Sequence, residues 1–204
     1  GSKSFGMVIL LPRDGDTSFA YSHDNRFDHN TYRDVASPLD PLSRMSLQIG
    51  QFAPYHTADD TRTIIDHNKF INLGSSGIQS KSGRDVIVDN IFIDLPNETG
   101  LALRAGDNKT VTGNYFENVR TAIKVYGEGH IISNNIILDS QEIGIQIPAY
   151  GVFSNTTSTS GSSSEPTGNI LVAHNTIYFV TKAGIEIGRP WGTGDTLADS
   201  PPFG

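Results

Sequence analysis

Apolar and polar residues alternate over short stretches, as in Asp85-Val86-Ile87-Val88 and Thr121-Ala122-Ile123-Lys124-Val125, which is the period of a strand with one face inward. The runs belong to a repeat. The pattern Asn, any residue, then an aromatic residue or Ile recurs at Asn68, Asn90, Asn114, Asn135 and Asn175, with spacings of 22, 24, 21 and 40. A second pattern, a small residue followed by an aliphatic one, starts at Gly77, Gly100, Ala122, Gly144 and Gly184, with spacings of 23, 22, 22 and 40. Within each unit the two markers lie 9, 10, 8, 9 and 9 positions apart, so they move together along the chain. Upstream, Asn30 and Ser46-Leu47-Gln48-Ile49 resemble a sixth unit with a wider separation of 16.

A unit of about 22 residues made of such runs leaves no room for helices. Leucine-rich repeats have a similar length but demand a dense Leu frame, and Leu is scarce here, whereas β-branched inward positions suit stacked strands. The expected fold is therefore all-β: a single-stranded right-handed parallel β-helix, one domain over residues 1–204. Equal positions in successive coils should stack at about 4.8 Å, so the Asn marker predicts a ladder of side chains hydrogen-bonded from coil to coil. The 40-residue step predicts a Ser/Thr/Gly-rich loop insertion at about 149–168, a surface excursion from one coil.

Composition narrows the function. Fifteen Lys and Arg against 22 Asp and Glu leave a net charge of −7, which argues against a duplex nucleic-acid surface. No apolar run approaches the roughly 18 residues of a membrane-spanning helix. The absence of cysteine excludes disulfides and thiolate metal sites. Gly1-Ser2 looks like a cloning remnant, so the sequence is treated as a possible fragment of a longer chain.

The register places distant residues side by side. Four positions after each small marker stand Lys81, Arg104, Tyr126, Pro148 and Gly188; two positions after it stand Gln79, Ala102, Lys124, Gln146 and Glu186. Both rows face outward, and they gather Lys81, Arg104 and Lys124 beside Tyr126 on one sheet of an acidic protein. Two unit charges about 5 Å apart at an effective dielectric near 20 cost roughly 3 kcal/mol, enough to pull a lysine toward the range where a neutral amine is available. A polyanionic sugar chain would supply the missing negative charge. Cleavage of a 4-linked uronate by elimination needs a base for the carbon-5 proton, a cation for the carboxylate and a proton donor for the leaving oxygen, roles open to Lys81, Arg104 and Tyr126. Arg189 extends the basic row, and His130 opens the next strand as a substrate contact or a turn residue. His29, His67 and His174 each precede a ladder Asn and read as turn residues. His56, Asp59-Asp60, Tyr55 and Trp191 lie in irregular segments with weaker claims.

The stretches Ser80-Lys81-Ser82-Gly83, Gly100-Leu101-Ala102-Leu103-Arg104-Ala105-Gly106-Asp107, Gly113-Asn114-Tyr115-Phe116 and Ala122-Ile123-Lys124-Val125-Tyr126-Gly127-Glu128-Gly129-His130 resemble the central coils of polysaccharide lyase family 6, the alginate lyases and chondroitinase B. The likeness runs from Asn25 to Gly188 and is densest between Ile78 and Asn135. It implies a lyase of an anionic polysaccharide, with Lys81 as Brønsted base and Arg104 assisting at the carboxylate or leaving group. The ladder rows and their flanks make Gln79, Lys124, Tyr126, His130, Gln146 and Arg189 the expected substrate contacts, and the resemblance implies a secreted or periplasmic location. Calcium-using members carry two acidic residues where Gly74 and Ser76 stand here, so no metal or other cofactor is expected, and carboxylate neutralisation falls to Arg104 or Lys124. Further departures are Ala105, where the family has His, and about two extra residues within Leu95 to Thr99. These departures keep a non-catalytic carbohydrate-binding β-helix in view as the alternative. A uronate epimerase ranks lower, because the Asp-Pro-His motif of alginate epimerases is absent.

Overall fold

The computed structural model describes residues 8–10, 23–34, 45–50, 61–74, 76–104, 106–153 and 163–188. The chain winds in coils that cross three faces. On the first face Arg26–Asp28, Ile64–Asp66, Val86–Val88, Thr110–Thr112, Ile131–Ser133 and Leu171–Ala173 form a six-stranded parallel sheet. The second face holds Thr31–Arg33, Lys69–Ile71, the first parts of the long strands Ile91–Leu103 and Tyr115–Val125, then Ile136–Ser140 and Thr176–Val180. The third holds Val8–Leu10, Met45–Ile49, Ser76–Ser80, the later parts of the same long strands, Ile143–Ile147 and Ala183–Ile187. Every strand pair in this stack is parallel, and no helix occurs among the described residues.

The corner between the first two faces explains the Asn marker. His29, His67, Asp89, Asn134 and His174 all sit at φ 54°, and Gly113 takes the same place at φ 69°. That left-handed turn is open to short polar side chains, to histidine and to glycine, which is why histidine recurs there. The next residue is the ladder Asn. From Asn30 through Asn68, Asn90, Asn114 and Asn135 to Asn175, each amide Nδ2 donates to the Oδ1 of the next rung at 2.9–3.0 Å. The same Oδ1 also accepts the backbone N–H of the rung before it at 2.9–3.0 Å. Asn30 secures the sixth unit: Thr31–Arg33 pairs with Lys69–Ile71 and Met45–Ile49 with Ser76–Ser80, so its wider marker separation is a longer connection inside one coil.

Two positions after the ladder Asn, Tyr32, Phe70, Phe92 and Phe116 point into the core and stack with centroids 4.8, 4.9 and 4.6 Å apart, the rings within 8° of parallel. Each such contact contributes about 0.5–1.5 kcal/mol beyond burial. The stack dictates the small marker. A Cβ at Gly77 would lie 2.8 Å from the Phe92 ring, and one at Gly100 2.8 Å from the Phe116 ring. Where the next coil carries Ile137 in place of an aromatic ring, the marker is Ala122. Aliphatic ladders fill the rest of the interior, with Ile65, Ile87, Val111 and Ile132 from the first face and Leu47, Ile78, Leu101, Ile123 and Ile145 from the third.

The predicted insertion leaves the stack as an antiparallel ribbon, Tyr150–Phe153 against Ser163–Pro166, and returns where Gly168 bridges to Glu128. Its tip lies outside the described residues.

Asn90→Ala removes the acceptor for the Asn68 N–H and Nδ2 and the donor to Ile65 O and Val88 O, all at a site with no solvent exposure. With unpaired buried groups costing about 1–3 kcal/mol each, the variant should lose about 3 kcal/mol or more in urea denaturation, while Asn30→Ala at the exposed end of the ladder should lose less.

Candidate active site

The outward rows of the third face form as the spacing predicted. Gln48, Gln79, Ala102, Lys124, Gln146 and Glu186 are direct partners from coil to coil. In the second row the Lys81 N–H bonds to Ile49 O, Arg104 N–H to Ser80 O, Tyr126 N–H to Leu103 O and Gly188 N–H to Ile147 O, so Lys81, Arg104 and Tyr126 occupy consecutive rungs.

Lys81 is pinned from below. Ser80 and Ser82, its two neighbours, both donate their hydroxyls to Asp85 Oδ2, at 2.7 and 2.5 Å. Asp85 Oδ1 accepts the Thr61 hydroxyl at 2.7 Å and the Thr63 N–H at 3.0 Å from the coil before. The carboxylate is fully buried and satisfied on both oxygens. It explains a polar Ser80 in an inward row that otherwise holds Ile49, Leu103 and Val125. With its backbone fixed, Lys81 donates from Nζ to Gln48 Oε1 at 3.1 Å, and Arg104 donates from Nη1 to Gln79 Oε1 at 3.4 Å.

Burial first, and the Arg104 charge second, push Lys81 down to about 8. Lys124 is also pushed down to about 8, by burial and then by Arg104 and Arg120, against the opposing pull of Glu186 and Glu142. Burial lowers Arg104 and raises Tyr126, with Arg104 partly offsetting the latter. The Lys124 ammonium stands 5.8 Å from the Tyr126 ring centre. The strip thus offers two amines that are neutral in part just above neutrality and a guanidinium that stays charged.

A family described as right-handed β-helix region matches residues 55–189. The chain belongs to that family. The coils of this right-handed β-helix also superpose on a mannuronic acid specific polysaccharide family 6 lyase from human gut microbiota, with a TM-score of 0.72 and 20% identity. The superposition covers 95% of this chain and 43% of that one, so the chain spans less than half the length of the lyase, and the likeness is one of fold. No curated protein matches the chain.

Within this right-handed β-helix the sequence-predicted residues divide. Lys81, Arg104 and Lys124 come together as expected, and Gln146 lies half-buried on the same strip, donating to Glu186 at 3.3 Å. Gln79 and Tyr126 belong to the cluster but are only 7% and 2% exposed. In this structure Gln79 accepts from Arg104 and the Tyr126 ring lies beside Lys124, so both stand behind the cations and open little surface of their own. His130 is enclosed as well: it has no exposure, its Nδ1 accepts the Lys109 N–H at 3.1 Å, and its Nε2 donates to Tyr126 O at 2.9 Å. It is a turn residue that fixes the Tyr126 backbone. Arg189, Ala105, Tyr55, His56, Asp59-Asp60 and Trp191 lie outside the described residues. Gly74 and Ser76 bring no carboxylate where the resemblance leads one to look for a calcium-binding acidic pair, so the donor set there does not fit calcium. Among the described residues no three His, Cys, Asp or Glu side chains converge on a metal position. Sequence reasoning missed Asp85 and Gln48. The first was signalled by three hydrogen-bonding residues packed into Ser80-Lys81-Ser82-Gly83-Arg84-Asp85, the second by Gln48 preceding Gln79 in the row.

Burial, then the Lys109 charge, push His130 down to about 4 from 6.5. A histidine depressed in the folded state gives stability that is complete above the unfolded value and is lost as pH falls through the folded one. Unfolding free energy should therefore fall between pH 6.5 and about 4, by on the order of 3 kcal/mol, and His130→Gln should flatten that window in urea titrations. Asp66, held down to about 2 chiefly by the Arg26 guanidinium, acts only below its ordinary 3.8 and leaves the window clear.

Proposed function

We propose that the strip is the active site of a polysaccharide lyase that cleaves a uronic acid polymer, alginate and in particular its mannuronate, by β-elimination. The observation that carries this reading is the meeting of Lys81 and Arg104 on adjacent rungs, with Lys81 pushed down to about 8 and held at Nζ by Gln48. The fold shared with a mannuronic acid specific family 6 lyase supports it.

In this reaction the neutral Lys81 amine takes the carbon-5 proton. The electron pair released forms the carbon-4 to carbon-5 double bond as the glycosidic oxygen departs, and water protonates that oxygen. Charge spreading into the carboxylate in the transition state is met by Arg104, which stays charged where Lys81 is neutral and whose stabilisation is strong because it is partly desolvated. No step needs a metal. A polymer of this kind is encountered outside the cytoplasm, consistent with a secreted or periplasmic protein. The second reading, a β-helix that binds uronate chains without cleaving them, is favoured by Gly74 and Ser76, since it requires no activated carboxylate.

Polymannuronate, polyguluronate and dermatan sulfate separate the two. The lyase reading expects rising ultraviolet absorbance from unsaturated ends, fastest on polymannuronate and unchanged by chelator; bound polymer with a flat trace supports the second. Because the base acts unprotonated, kcat/KM should climb with pH and level off above about 8. Lys81→Ala should lower kcat by about 10²–10⁴-fold with its melting temperature retained, and a fully active variant removes Lys81 from the mechanism.

A further inference from the structure

Two of the three cations of the strip are held in the same diagonal way. A glutamine in one coil reaches the cation two positions further along in the next coil: Gln48 under Lys81 and Gln79 under Arg104. The orientation of the Gln48 amide is settled by its own neighbour, since Nε2 donates to Gly50 O at 2.9 Å and leaves Oε1 facing Lys81. Gln48 is 6% exposed, so this amide is enclosed on the strip.

The chemistry of the holder matters. A carboxylate in its place would keep the contact but cancel the charge that draws an anionic polymer, and would hold Lys81 protonated. A hydrocarbon would take this acceptor away from the amine. Among the described residues the charged group facing Lys81 from the coil above is Arg104, with Tyr126 a rung further; Gln48 and Gly50, from the coil below, do not ionise. Asp85, on the inner side, is consumed by the hydroxyls of Ser80, Ser82 and Thr61 and the Thr63 N–H. Among the described residues the amide of Gln48 is thus a neutral contact of Lys81, beside the like charge of Arg104 and the carboxylate of Asp85 that is taken up by its own donors.

We infer that Gln48 is a positioning residue for Lys81: its neutral amide fixes the amine nitrogen on the strip while leaving it free to change protonation. The inference deepens the lyase reading and rests on it for its catalytic meaning, but the effect on Lys81 is measurable without turnover.

The full chain and two variants, Gln48→Glu and Gln48→Met, are acylated with acetic anhydride across pH, and Lys81 modification is quantified by mass spectrometry. The pH profile of kcat/KM on polymannuronate is recorded beside it. Gln48→Glu should move the midpoint for Lys81 up by about one pH unit or more, in labelling and in kcat/KM, with kcat recovered on the alkaline plateau. Gln48→Met should move the labelling midpoint down, because an acceptor for the ammonium is gone, and should cut kcat several-fold with KM little changed. Should one variant fail to fold in a thermal melt, the other still decides. Midpoints unmoved in the folded variants overturn the inference. Midpoints that move as stated in a protein yielding no unsaturated product uphold the role of Gln48 and reject the lyase reading; unsaturated product with unmoved midpoints does the reverse.

Discussion

The hydrogen bond from one ladder asparagine to the next is the constraint on which the rest of the molecule depends. A parallel β-helix has no long-range topology to lock its register, since each coil touches only the coils beside it. A slip of one residue would turn every inward side chain outward. The run from Asn30 to Asn175 prevents this, because from Asn68 onward each Oδ1 accepts from both the backbone and the side chain of the rung before it, and each Nδ2 is shared with carbonyls of its own and the preceding coil. The cation strip on the third face inherits its alignment from that ladder.

Alignment sets an electrostatic problem. Rungs spaced about 4.8 Å apart force Lys81, Arg104 and Lys124 into mutual repulsion, and burial deepens it. The structure answers with neutral contacts: the amides of Gln48 and Gln79 and the face of Tyr126. Among the described residues Glu142 and Glu186 stand at the far end of the strip, where they act on Lys124.

The coil architecture was legible in the sequence because its markers obey steric rules that act locally. An Asn must follow a left-handed turn residue, and a Gly must lie under a phenyl ring, so both leave a period that can be counted. The juxtaposition of Lys81 and Arg104 followed from that period alone. What the period could not convey was depth. Tyr126 and Gln79 occupy outward positions by parity, yet they are nearly enclosed. His130, at a turn, satisfies both ring nitrogens on backbone, a pairing that depends on the path of the preceding coil. Asp85 escaped notice because its partners Thr61 and Thr63 belong to the preceding coil, outside any short motif. The insertion was legible as a length anomaly, but its pairing as a ribbon was not, since Ser/Thr/Gly composition carries no strand signal.

The fit of Gly77 under Phe92, and of Gly100 under Phe116, ties each coil to the identity of its successor. Coils in this protein are consequently not interchangeable bricks. Transplanting or duplicating one would succeed only at a junction where a ring meets a bare backbone, so lengthening the molecule by recombination favours cuts that keep a glycine-bearing coil and the aromatic coil above it together.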